Sequence, residues 1–217
     1  MDFALSNNVS EPDPLMSQGV RRRWPGTVTA TGPEADNYAA MIDSLRLFLD
    51  RVSGSRPSPE ASSELARKLD ELSSDLEKCQ VVERDQLFGH LPIQGRAQSM
   101  SPQFFTDESD DQSVAGRVTF RCFFLGGNGA AHGGSIPLLF DEVLGRLANT
   151  GGRAGSRTAY LNVNFRSIAR VGNELALTAR FVREEGRKRF IASEIFDGDI
   201  LVADAEGLFV ALRPGQP

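Results

Sequence analysis

Ile136, Leu139, Phe140, Val143, Leu144 and Leu147 recur at helical spacing, in the middle of segments whose apolar residues alternate at period two. One amphipathic helix therefore interrupts a run of strands, and its apolar stripe is suited to lie against a sheet. Pro137 is tolerated only in a first turn, so the helix must begin between Gly133 and Ile136; Gly151-Gly152 lies just beyond its end. The clearest strand spans Thr158 to Ile168, with Ala159, Leu161, Val163 and Phe165 on one face and Thr158, Tyr160, Asn162, Asn164 and Arg166 on the other. Glu174 to Val182 repeats the alternation, and Arg117 to Phe124 reads as an earlier strand. Arg189 to Phe196 and Ile200 to Leu212 are apolar on both faces, as in strands covered on two sides. Turns at Glu185-Gly186 and Asp197-Gly198 join these segments into an antiparallel meander.

Ahead of Gly95 the period is helical. Thr31 and Glu34 have capping-box spacing, Pro33 suits a first turn, and Tyr38, Met41, Ile42, Leu45, Phe48, Leu49 and Val52 form one stripe. After a linker from Ser53, Ser58-Pro59 resembles an N-cap and first helical position for a second helix striped by Leu65, Leu69, Leu72, Leu76 and Cys79. These stripes are expected to cover a neighbouring sheet or each other rather than to form a long coiled coil, since the second runs for barely three heptads. Residues 1–30 read as a mobile tail, 31–94 as a helical extension and 95–217 as the α+β domain, an antiparallel sheet around a central helix.

Composition narrows the chemistry. With 40% hydrophobic and 24% charged residues the chain can build a core, and its longest apolar runs are far short of the roughly 18 residues a membrane span needs. The first residues lack a basic start followed by an apolar stretch, so a cytoplasmic protein is expected. Residues 1–115 carry 11 Lys and Arg against 19 Asp and Glu, and residues 116–217 carry 13 against 10. That asymmetry is too mild for a nucleic-acid partner and compatible with an anionic small molecule; Arg21-Arg22-Arg23-Trp24 reads as a solvated cluster. Two cysteines, Cys79 and Cys122, without close spacing suggest buried thiols rather than a disulfide or a zinc site. Nucleophile-elbow, phosphate-loop, dinucleotide and zincin patterns are absent, and with two histidines, His90 and His132, no metal site or cofactor is indicated.

Two features of the central helix bear on chemistry. Asp141 projects away from the apolar stripe, beside Gly134, Gly145 and Ala148, where small neighbours would admit a ligand or a second chain and leave a carboxylate partly desolvated. Glu142 beside it reads as an ordinary solvated acid. His132-Gly133-Gly134 precedes the helix, so free N–H groups and the positive dipole end face whatever binds there, an anion or a developing oxyanion. His132 is a candidate catalytic residue, expected to order that turn by hydrogen bonding rather than to act as a base.

The segment from Asn128 through His132-Gly133-Gly134 and Asp141 to Gly145 resembles the helix-start motif of the hotdog-fold acyl-CoA thioesterases, in the PaaI-type branch related to 4-hydroxybenzoyl-CoA thioesterase. Thr158 to Arg166, Gly172-Asn173-Glu174-Leu175, Glu185 to Lys188 and Leu201 to Gly207 resemble that branch in order and spacing, over about residues 95 to 213. The resemblance implies hydrolysis of an acyl-CoA to free acid and coenzyme A. Gly133 N–H would polarise the thioester carbonyl, Asp141 would act as base or nucleophile, and Thr158 would hold the water or the carboxylate. Many relatives have Asn six residues before the His; here that position is Gly126, and Asn128 is the candidate substitute. Asn162, Asn164 and Arg166, on a face running on from Thr158, are expected along the substrate path. Arg166 or Arg187-Lys188-Arg189 would be the groups to meet coenzyme A phosphates, although solvation is the plainer reading of the latter cluster. The resemblance also implies a homodimer or dimer of dimers with the site between subunits. The other reading is a hotdog protein that binds acyl-CoA or a partner without turnover, which the Gly126 departure and the extra helices allow.

Overall fold

The computed structural model describes residues 30–216. The expected N-terminal tail, apart from Ala30, and the Arg21-Arg22-Arg23-Trp24 cluster lie outside the described residues. Helix α1 runs over Pro33–Ser53, and its start corrects the capping-box reading. Gly32, at φ 62°, is the N-cap without any side-chain cap, so Thr31 and Glu34 do not close on each other; the left-handed φ is one glycine adopts freely. Ala35 and Ile42 are buried against Leu91 and Ala97, whereas Met41, Leu45 and Val52 of the expected stripe stay exposed. Helix α2, Pro59–Glu77, begins as the sequence indicates, with the Ser58 hydroxyl accepting from Ala61 N at 3.2 Å. Its leucines cover neither the sheet nor α1, since every α2 residue is exposed.

The strands are β1 (Phe104–Ser109), β2 (Ser113–Thr119), β3 (Leu125–Gly127) and β4 (Ala130–Ala131), then helix α3 (Ser135–Ala148), then β5 (Ser156–Phe165), β6 (Glu174–Glu185), β7 (Lys188–Asp197) and β8 (Ile200–Ala211). Six form one antiparallel sheet in the order β1-β2-β6-β7-β8-β5; β3 and β4 form a small hairpin. The α3 stripe from Ile136 to Leu147 packs with Leu175, Leu177, Ile191, Ile195, Val202 and Phe209 in one buried core. A sheet wrapped around a central helix is the hotdog fold. α3 fills the inner face, the outer face carries Asn162, Asn164, Glu194, Asp204 and Glu206, and α2 packs on neither. On the outer face of β7, Phe190 is buried beneath the Arg183 guanidinium, 3.7 Å from the ring centroid.

Other departures have local causes. β2 stops at Thr119, and Cys122–Phe124 form a single helical turn whose Phe123 N–H is taken by Asp50 Oδ1 of α1 at 3.1 Å. Cys79, beyond the exposed α2, and Cys122, on this turn, are both exposed rather than buried. Arg189, expected in a solvated cluster, is buried: its Nη1 donates to Ala148 O at 2.7 Å and Ala154 O at 2.8 Å, closing the carbonyl end of α3 where a cation is favoured. Arg189→Ala strands both carbonyls, and urea unfolding is expected to show a loss of about 2–4 kcal/mol. Lys188→Ala, next to it and exposed, should change stability by less than about 0.5 kcal/mol.

Candidate active site

The turn ahead of α3 is held by its own polar groups. His132 N donates to Phe124 O at 2.7 Å, and Ala131 N to Ala169 O at 2.8 Å, so the β3–β4 hairpin delivers the chain to the helix start. His132 O accepts from Ser135 N at 2.9 Å and Ser135 Oγ at 2.7 Å. Gly134 N donates to His132 Nδ1 at 3.0 Å, which assigns the ring proton to Nε2 and commits this imidazole to ordering the turn. Gly134 N–H is thereby used, whereas Gly133 N–H makes no hydrogen bond among the described residues and sits at the positive end of α3. Phe165, at the end of β5 and 56% exposed, has its Cζ 4.0 Å from where a Gly133 Cβ would stand, so an apolar wall borders this amide.

Gly126 has a steric role here. A Cβ on it would lie 2.8 Å from His132 Cα and 3.1 Å from His132 N, so the two backbones meet with no room for a side chain. Asn128, at φ 49°, occupies the tip of the β3–β4 hairpin, while His132 follows its open end, so the structure does not bring Asn128 to the helix start. Gly126→Asn is expected to cost about 1–3 kcal/mol and to move the Gly133 amide resonance, rather than to supply a missing ligand group.

Two turns into α3, Asp141 Oδ1 accepts from Thr158 Oγ1 at 2.8 Å. The contact depends on a bulge. β5 and β8 pair Thr158 with Phe209 and Tyr160 with Leu208, so Ala159 is an extra residue and Thr158 turns to the helix side. Regular alternation would have put Thr158 on the face of Asn162, Asn164 and Arg166. Those three lie instead on the outer face, along an open hollow of ≈ 940 Å³, apart from Asp141. Asn164 Nδ2 donates to Asp204 Oδ1 at 2.7 Å and Arg166 Nε to Asp204 Oδ2; the Arg166 bond first, then the Asn164 bond, holds the Asp204 carboxyl below its usual range. Tyr160 Oη donates to Glu206 Oε1 at 2.7 Å on the same face.

The strip of small residues is also only partly open. Gly145 faces Phe209, Ala148 is fully buried, and Asp141 itself is exposed on the single chain. Glu142 is not the solvated acid expected: Arg96 Nη1 donates to its Oε1 at 3.0 Å, with both side chains about one-fifth exposed. Gly95, Arg96 and Ala97 are all left-handed, at φ 65°, 54° and 48°, and Arg46 of α1 donates to the carbonyls of Gly95 and Gln98. Burial pushes the neighbouring Arg146 guanidinium below its ordinary pKa, and Glu142 opposes that shift. This buttress beside Asp141 has no sequence signature, because two of its three left-handed residues are not glycine. Among the described residues no group of three or more His, Cys, Asp or Glu is placed to hold a metal ion, and no helix is long and apolar enough to cross a membrane.

The sheet wraps a helix whose start leaves one amide unpaired among the described residues, with a carboxylate and a hydroxyl two turns on. Residues 128–203 match the sequence profile of the Thioesterase superfamily. The acyl-coenzyme A thioesterase THEM4 of Bos taurus is 33% identical over 101 residues, covering 43% of this chain and 41% of that protein, so the chain spans less than half the length of this relative. The crystal structure of a thioesterase superfamily protein is similar at 26% identity and a TM-score of 0.68, over 80% of this chain and 94% of the other. That coverage exceeds residues 95–217, so the likeness takes in part of the helical N-terminal region.

Proposed function

We propose that the protein hydrolyses an acyl-CoA thioester to a carboxylic acid and coenzyme A, at a site shared between two copies of the chain. The observation that carries this reading is the 2.8 Å bond from Thr158 to Asp141, on the same helix whose start leaves Gly133 N–H unpaired. Thioester hydrolysis needs an oxyanion donor and an activated water or nucleophile. Gly133 N–H, aided by the helix dipole, would receive the charge developing on the carbonyl oxygen. Thr158 fixes Oδ1 of Asp141 and leaves Oδ2 to act. The carboxylate either takes a proton from the attacking water or attacks the carbonyl carbon itself, expelling the coenzyme A thiolate and forming an anhydride that water then cleaves.

Spacing argues for two copies. Eight residues separate Gly133 from Asp141, about 12 Å at helical rise, whereas reacting atoms must come within about 3.5 Å of each other. That separation favours a carbonyl held between groups from two chains. Among the described residues β5 is an edge strand bonded only to β8, and pairing its other edge with that of a second copy would set two α3 helices side by side. Gly133 of one chain would then face Asp141 of the other, with Phe165 beside the acyl group.

Thiol release over aliphatic and aromatic acyl-CoAs tests the proposal. Turnover with kcat/KM above about 10⁴ M⁻¹s⁻¹ is expected for at least one substrate. Tight acyl-CoA binding with no thiol release across the panel would favour the non-catalytic reading instead.

A further inference from the structure

Leu65, Leu69, Leu72 and Leu76 are 38%, 41%, 60% and 55% exposed on α2. Spacings of four, three and four residues place them in one row, the seam of a two-helix coiled coil rather than a pattern a solvated helix needs. The charged residues are set apart from it: Arg67 bonds both Glu64 and Glu71 on the opposite face. Lys68 and Asp75 are the charged residues that flank the seam, both on one side, and the other flank carries Ala66 and Ser73.

We propose that α2 is a self-association surface that pairs with α2 of a second copy of this chain, antiparallel. A two-fold axis between Asp70 and Glu71 sets Leu65 opposite Leu76 of the second copy and Leu69 opposite its Leu72, so all four leucines meet leucines. The same operation brings Lys68 beside Asp75 of the second copy, and Asp75 beside its Lys68. Parallel pairing sets Lys68 against Ser73 and gains no charge pair. Ala66 and Ser73 meet on the other flank, where small side chains allow the helices to approach closely. Lys68 and Asp75 now pair with Glu64 and Lys78 along their own helix, through exposed contacts that are exchanged at little cost. Acidic residues outnumber basic ones on α2, which disfavours an anionic membrane surface as the occupant. Two helices of this length bury less than a standard interface, so the pairing is concentration-dependent. It does not rest on the proposed hydrolysis.

Cysteine cross-linking of the full chain separates the arrangements. In a Cys122→Ser background, antiparallel pairing sets Cys79 opposite Ser62 of the second copy and holds the two Cys79 thiols about 25 Å apart. Ser62 near the start of α2 and Cys79 just past its end are about as far apart, beyond the reach of a disulfide within the chain. Adding Ser62→Cys is expected to yield disulfide-linked dimers under mild oxidation, at least about tenfold more than Cys122→Ser alone, and Leu69→Glu should cut that yield by about tenfold. In sedimentation, Lys68→Asp should weaken association and Lys68→Asp with Asp75→Lys should restore it. Efficient cross-linking through Cys79 alone would overturn the proposal in favour of a parallel pair. Cross-linking indifferent to Leu69→Glu, or none at any concentration, would overturn it in favour of another occupant, such as the exposed Met41 and Leu45 of α1 or a different protein.

Discussion

Asp141→Ala is expected to lower kcat for the preferred acyl-CoA by at least about a thousandfold, with KM changed by no more than about threefold. The proposed site contains one carboxylate able to reach the substrate, and neither remaining group replaces it. Gly133 N–H stabilises charge without activating water, and Thr158 without Asp141 is an ordinary hydroxyl. Asp141 is exposed and its bond to Thr158 is a surface contact, so the substitution should change stability by less than about 1 kcal/mol. Lost turnover with intact folding and binding separates this expectation from general damage. Asp141→Asn preserves an acceptor for Thr158 yet loses the base and nucleophile, so it should fall as far as the alanine variant. Full activity in either variant would remove Asp141 from the mechanism.

Much of the frame was legible because strong local signals agreed. The α3 stripe, Pro137 and the flanking glycines located the central helix to within a residue or two, and period-two alternation with Gly186 and Gly198 located the last three strands. Thr158 shows the limit of such patterns. Its placement beside Asp141 needs one extra residue in β5, and a bulge at Ala159 leaves no mark in composition while reversing the face of everything before it. Plain alternation therefore puts Asn162, Asn164 and Arg166 on the face of Thr158, whereas the bulge sets them on the side of the sheet away from Asp141.

Burial of charge was equally hidden. Arg189 and Glu142 belong to types that are nearly always solvated; only the tertiary neighbours, the α3 carbonyls for one and Arg96 for the other, make their burial favourable. Gly126 looked like a lost ligand group because spacing carries no information about backbone approach, and its contact with His132 appears only once the hairpin is folded. The α2 leucines misled in the opposite direction. Their spacing is that of a buried face, yet none of the described residues covers them.

The separation of Gly133 and Asp141 along α3 makes the shared site the central claim, and mixing variants tests it. Gly133→Pro removes the oxyanion donor and Asp141→Ala removes the carboxylate, so each homodimer has two dead sites. In a hybrid of the two, one site combines Gly133 from the Asp141→Ala chain with Asp141 from the Gly133→Pro chain and is intact, while the other lacks both groups. Random exchange makes half the dimers hybrids with one working site each, so thiol release should recover to about a quarter of wild type per chain. Recovery to that level is the predicted result. Mixtures no more active than the separate variants, with hybrid formation verified by differential tags, would show that both groups act from one chain and contradict the shared site.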